Sequence, residues 1–255
     1  MLKIYINEPV SILDMETIIL LLLVSTFIAS MFGSFTGFGI STVLIPIFLL
    51  FFPPPVTLLI VGIIHWFNNV WRITLFRKGM IYKLVLYFGA PGILLAYTGA
   101  RLTVEVPHDI MTRAIGVIII LYVVFIYVKE DFEVKANKKN ALLGGSMYGF
   151  SSGISGIGGE IRTMFLLAYK LPKSVYIATT GAISIIIDST RIITYVWGGA
   201  RLESALIYAA PLLIATTLGG AYVGKNIVEK LPKERFRQVV GIFLLAVAVK
   251  MIVWP

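Results

Sequence analysis

Ten apolar stretches separated by short polar gaps make up the chain. They run 15–33, 38–52, 56–76, 83–104 and 109–128, then 141–156, 159–170, 174–197, 203–225 and 236–254. A helix that crosses a ~30 Å hydrocarbon layer needs about 20 apolar residues, and several stretches reach that length. The second stretch of each five does not. At ~1.5 Å per residue a helix over 159–170 covers only about 18 Å. Both short stretches begin at a glycine cluster, Gly37-Phe38-Gly39 or Gly156-Ile157-Gly158, and end at a proline, Pro53 or Pro172. The pattern predicts an all-α polytopic membrane protein in which the short segments are discontinuous or re-entrant helices.

The two sets of five look like copies of one unit. A shift of 119 residues lays Gly37-Phe38-Gly39 on Gly156-Ile157-Gly158, Pro53 on Pro172, Asn69 on Asp188, Arg72 on Arg191 and Gly79 on Gly198; near the ends the shift grows to 125, where Pro107 and Gly116 meet Pro232 and Gly241. This divides the chain into a first transmembrane repeat over 1–128, a basic cytoplasmic linker over 129–140 and a second repeat over 141–255. Internal repeats of this size are common in transporters.

Charge sets the orientation. If the first two segments of each half are counted separately, fourteen loop lysines and arginines fall on one side and four on the other; if they form one broken helix, the loops divide nine against nine. Basic loops stay on the cytoplasmic side, so the uneven division is the expected one. It places both termini outside the cytoplasm. An odd number of segments per half also makes the repeats inverted in topology.

Composition agrees, with 58% hydrophobic and 14% charged residues and a mean hydropathy of +0.92. The net charge of +9 sits in the short gaps and gives no reason to expect nucleic acid. With no cysteine and two histidines, neither a disulfide, a metal site nor a cofactor is expected. Acidic Glu8, Asp14 and Glu16 precede an apolar run longer than a signal peptide's, which is expected to stay in the mature protein.

Inverted repeats with interrupted short helices place a binding site near the bilayer midplane. A half-helix that starts at a glycine turn presents unpaired N–H groups, which favour an anion. The candidates are Thr36, Gly37, Gly39 and Ser41 in one half and Ser155, Gly156, Gly158 and Gly159 in the other. Close packing competes for Gly145, Gly149 and Gly153, spaced four apart as helix seams are. Arg72, Arg162 and Arg191 fall inside spans, where a charge faces the protein interior or a watery cavity, and a guanidinium can hold two oxygens of one anion. Snorkelling toward headgroups is the competing role for Arg72 and Arg191. Glu160 and Asp188 are the acids well inside spans; each is expected to neutralise its neighbouring arginine, with a coupled proton as the alternative. His65, near a span centre, could titrate or serve as a hydrogen-bonded packing residue.

The order of these motifs resembles the sulfite exporter TauE/SafE family of membrane permeases. The resemblance rests on Gly37-Phe38-Gly39 leading to Pro46, then Pro53 and Arg77-Lys78-Gly79; the second half follows with Gly153, Ile157-Gly158-Gly159, Pro172, Ala178-Thr179-Thr180-Gly181 and Gly198-Gly199. It covers nearly the whole chain, and departs from the family pattern at Ile40 and Glu160, where a further glycine is common. It implies a multi-pass cell-membrane transporter of sulfite, sulfonates or related sulfur-containing anions, driven by a proton gradient in one version. The expected partners are therefore a small anion and the lipid bilayer, with a homodimer left open. An anion channel and an intramembrane enzyme are the alternatives, though no paired catalytic carboxylates or His-rich motif supports the second.

Overall fold

A computed structural model describes residues 15–36, 39–75, 79–128, 134–227 and 233–255. Among these residues the chain is ten helices with no strand: α1 (Met15–Thr36), α2 (Ile40–Phe48), α3 (Pro54–Leu75), α4 (Tyr82–Glu105), α5 (His108–Val128), α6 (Lys138–Ser155), α7 (Gly159–Leu167), α8 (Lys173–Trp197), α9 (Ser204–Ile227) and α10 (Lys233–Val253). The described parts of α3, α4, α5, α8 and α9 are long and apolar enough to cross a membrane. Large side chains such as Leu20, Leu94, Leu121 and Ile242 point outward, as a lipid-facing surface requires.

Helices α2 and α7 have nine residues each, about 14 Å and far short of a crossing. Their limits have local causes. Gly39 precedes α2 at φ 76°, and Gly158 precedes α7. Beyond α2, Leu50 and Phe51 donate to the carbonyls three residues back, the tighter turn that often closes a helix, and Pro54 then opens α3 at the position where a missing N–H costs nothing. The expected apolar segment over 38–52 thus overshoots α2, because Leu49–Phe52 are apolar but turn. Helix α6 starts earlier than expected. Asn137 caps it by accepting from the Asn140 N–H at 2.8 Å, so Lys138 and Lys139 belong to the helix rather than to a linker.

Packing pairs the helices across the two sets of five. Helix α6 lies along α4 and α1 along α9, while α3 packs on α8 and α5 on α10. The α4–α6 seam is built from small residues. A Cβ on Gly145, Gly149 or Gly153 would collide with the backbone of Phe88, Gly92 or Ala96, one turn apart along α4. Backbones approach this closely only where side chains are missing. The α1–α9 seam does the same with Gly220 and Gly224 against Phe27 and Met31.

Helices α3 and α8 run antiparallel. Gly62 faces Ile192, His65 bonds Asp188, Trp66 bonds Ser189 and Ile73 faces Gly181. The same holds for α5 and α10, where Arg113 reaches Ile252 and Tyr127 faces Gly241.

Candidate functional site

The polar interior centres on α8, whose buried face carries Ser184, Asp188, Arg191 and Tyr195. Asp188 and Arg191 are three apart, one helical turn, so both side chains meet on that face. Arg191 Nε donates to Asp188 Oδ1 at 2.8 Å, and neither side chain touches solvent. The other carboxylate oxygen, Oδ2, lies 2.7 Å from His65 Nδ1 on α3. Asn69, one turn on from His65, donates through Nδ2 to the His65 carbonyl at 2.8 Å. One carboxylate therefore joins an arginine of its own helix to a histidine of the facing helix.

The cluster is incompletely satisfied. Arg191 Nη1 and Nη2 and Asn69 Oδ1 are buried without a hydrogen-bond partner. Buried polar groups are nearly always paired, so each such orphan calls for a reason. Beside Arg191 stands the turn between α6 and α7. Gly156 holds φ 68° in the left-handed region, and a Cβ there would sit 3.1 Å from Arg191 Nη1 and 3.0 Å from Leu58 Cδ2, and would collide with Ile45 Cδ1. Glycine at 156 thus admits both the turn and the close approach of the guanidinium. The turn is held by Ser151 Oγ, which donates to the Ile157 carbonyl, and by Ser155 Oγ, which donates to the Ser151 carbonyl at 2.8 Å.

A second arginine sits one turn along α8. Arg162, on α7, donates to Ser184 Oγ and, at 3.4 Å, to Tyr148 OH; Tyr148 OH in turn donates to Ser184 Oγ at 3.1 Å. The guanidinium carbon lies 5.3 Å from the Tyr148 ring centre, within cation–π range, while Arg162 Nε is buried without a partner.

The expected neutralisation of Arg162 by Glu160 is not what the structure has. Among the described residues no ion pair joins them, and Glu160 lies half-buried in the first turn of α7. Residues two apart point to different sides of a helix, so Arg162 turns to Ser184 and Tyr148 instead.

The structure brings together Ser155, Gly156, Asp188, Arg191 and His65, with Arg162 reaching the same face of α8. It does not bring Gly39 and Ser41 into bonded contact with them. Ser41 is buried in the first turn of α2, while Gly158 precedes α7 and Gly159 begins it. Gly37 and the side chain of Thr36 lie outside the described residues. Arg72 is half-buried in the last turn of α3, while its repeat counterpart Arg191 is fully buried. Snorkelling is thus excluded for Arg191 in this arrangement.

Sequence reading missed Ser184 and Tyr148. Ser184 could have been found from the repeat itself, since the 119-residue shift lays His65 on it. Nothing in the local sequence marks Tyr148.

A family model described as sulfite exporter TauE/SafE matches residues 22–251. No curated protein and no solved structure matches the chain.

Proposed function

The chain belongs to the sulfite exporter TauE/SafE family, and from that membership we propose that it carries a small sulfur-containing anion across the membrane by alternating access. Its long apolar helices and this family make it a multi-pass membrane protein. The reading rests on one observation above all. Arg191 is a fully buried cation whose Nε is held by Asp188 while Nη1 and Nη2 have no partner. Two oxygens of a sulfite or sulfonate group would satisfy that pair of parallel donors. The carboxylate keeps the cation oriented when the site is empty.

The architecture is read as two inverted halves, 1–128 and 141–255, around the α3–α8 contact. Two features support this. The pairing of α1 with α9 repeats as α6 with α4, which is what exchanging the halves about a two-fold axis produces. The equivalent helices α3 and α8 run antiparallel, as do α5 and α10, so that axis lies across the helices rather than along them. In such transporters one half rocks against the other around a fixed central site. Ile45 and Leu58, packed over Gly156 beside Arg191, are the apolar seal on the closed side. The glycine turns before α2 and α7 supply backbone donors, and α2 and α7 are the re-entrant arms. Both termini face outward, with the basic segment 129–140 in the cytoplasm.

Uptake of labelled sulfite and of taurine into proteoliposomes tests the assignment. Saturable uptake of either, lost in Arg191→Ala, is the expected result. Absence of uptake of both by folded wild-type protein overturns it.

A further inference from the structure

The α3–α8 contact is alike at its two ends. A Cβ on Gly62 would lie 3.2 Å from Ile192 Cγ1, and one on Gly181 would lie 2.9 Å from Ile73 Cγ1. Each residue of the first pair stands 119 positions from a residue of the second, which is the shift between the two sets of five. The bonded pair His65 and Asp188 maps in the same way onto Ser184 and Asn69, and Arg191 maps onto Arg72. If the halves exchange about the axis proposed for them, the site at Arg191 has a counterpart at the Arg72 end of the seam.

The two ends differ in charge. Asp188 holds Arg191, but the residue equivalent to Asp188 is the neutral Asn69, which donates to the His65 carbonyl at 2.8 Å and leaves Oδ1 buried without a partner. Arg72 is therefore untethered: among the described residues it has no hydrogen bond or ion pair. A second arginine arrives there from α7. Arg162 donates to Ser184 Oγ and Tyr148 OH, is 5% exposed, and keeps Nε buried without a partner. The guanidiniums of Arg72 and Arg162 stand within electrostatic reach of each other, with Tyr148 and Tyr176 beside them.

Among the described residues no carboxylate is bonded to either of these cations. Glu160, at the start of α7, lies within reach of Arg162, yet one carboxylate against two guanidiniums still leaves a positive surplus. His65 bonds Asp188 at the other end, so its protonation does not change that sign. A buried charge without a counter-charge is costly, and two like charges near one another repel. An oxyanion between the two guanidiniums would answer both costs and occupy their planar donors. The competing roles, Arg162 as a packing residue and Arg72 as a side chain snorkelling toward headgroups, leave the surplus and Arg162 Nε unanswered.

We infer that Arg72 and Arg162 form a second oxyanion station at the α3–α8 seam, and that the transported anion passes between it and Arg191. This rests on the reading of Arg191 as the transport site. The test is a crystal of the full chain grown with selenite, whose selenium marks an oxyanion of sulfite's shape by anomalous scattering. Selenite is expected within hydrogen-bond reach of Arg72 and Arg162 as well as at Arg191. Arg72→Gln should lose the first position and keep the second. In proteoliposomes the same substitution should cut the maximal rate of sulfite uptake at least about tenfold, the loss of one charged hydrogen bond on the path. Its unfolding midpoint should match wild type, because Arg72 makes no bond in the fold. A snorkelling arginine would leave the rate untouched, so an unchanged rate overturns the inference. So does any selenite pattern that leaves the Arg72–Arg162 pair empty. The transport reading falls only if folded wild-type protein takes up neither sulfite nor taurine, and this inference then falls with it.

Discussion

Arg191 is asked for two different kinds of bond, and substitutions can separate them. Arg191→Lys keeps the charge that answers Asp188 but replaces two parallel donors with a point charge, and the two are not interchangeable where a planar group is held. The expected outcome is a folded protein whose KM for sulfite rises about tenfold or more, about 1.4 kcal/mol of lost binding, measured by proteoliposome uptake. Asp188→Ala acts differently, because it strands a fully buried cation. Breaking one partner out of a buried pair costs about 3–5 kcal/mol, so thermal unfolding in detergent should show a large drop in midpoint or no recoverable folded protein. Retention of the wild-type midpoint would mean that Asp188 does not hold Arg191. Ser184→Ala should cost less, about 1–3 kcal/mol for the hydrogen bond taken from a charged donor, read in the same assay. At this scale the sequence was legible where partners share a helix. Asp188 and Arg191 are one turn apart, and that spacing alone puts them on one face. Glu160 and Arg162 stand two apart, a spacing that turns the two side chains to different sides of α7 and makes no direct ion pair. The His65–Asp188 bond joins residues 123 apart, and no local pattern announces which residues of α3 and α8 lie opposite each other.

Elements are held by small-residue seams, and two adjacent glycines of α9 show what the seam requires. A Cβ on Gly219 would meet only Phe27 Cε2, at 3.8 Å, an ordinary contact, whereas one on Gly220 would run into the Phe27 carbonyl oxygen. Alanine is favoured over glycine inside a helix by about 0.5–1 kcal/mol. Gly219→Ala should therefore leave the unfolding midpoint unchanged or raise it. Gly220→Ala must push α1 away from α9 and should lower stability by about 1–3 kcal/mol, the usual cost of overpacking. Equal effects of the two substitutions would contradict the α1–α9 contact. The helices were readable from hydropathy because lipid imposes a coarse rule that a run of side chains either satisfies or does not. Their ends were less so. Leu49–Phe52 are as apolar as α2 itself, and only the tightening of the backbone ahead of Pro53 takes them out of the helix.

For the molecule as a whole, the decisive question is which side of the membrane each loop faces. The chain has no cysteine, so a single introduced thiol is a unique handle. Lys139 in the first turn of α6 and Arg201 between α8 and α9 are both exposed; Arg201 Nη1 donates to the Val196 and Ala200 carbonyls, contacts at the surface end of α8. With α1 and α2, and likewise α6 and α7, entering and leaving as separate arms, Lys139 lies in the cytoplasm and Arg201 outside. With each pair forming one broken crossing, both would lie on the same side, because the number of crossings between them changes by one. A membrane-impermeant maleimide applied to intact cells should accordingly label Arg201→Cys at once and Lys139→Cys only after permeabilisation. Labelling of both in intact cells, or of neither until permeabilisation, would make α1–α2 and α6–α7 single crossings and leave each half with an even number of spans. The halves would then point the same way, and an antiparallel α3–α8 contact could no longer come from exchanging them about an axis in the membrane plane. The site at Arg191 would survive that result as a buried ion pair, but the rocking of one half against the other would lose its geometric basis.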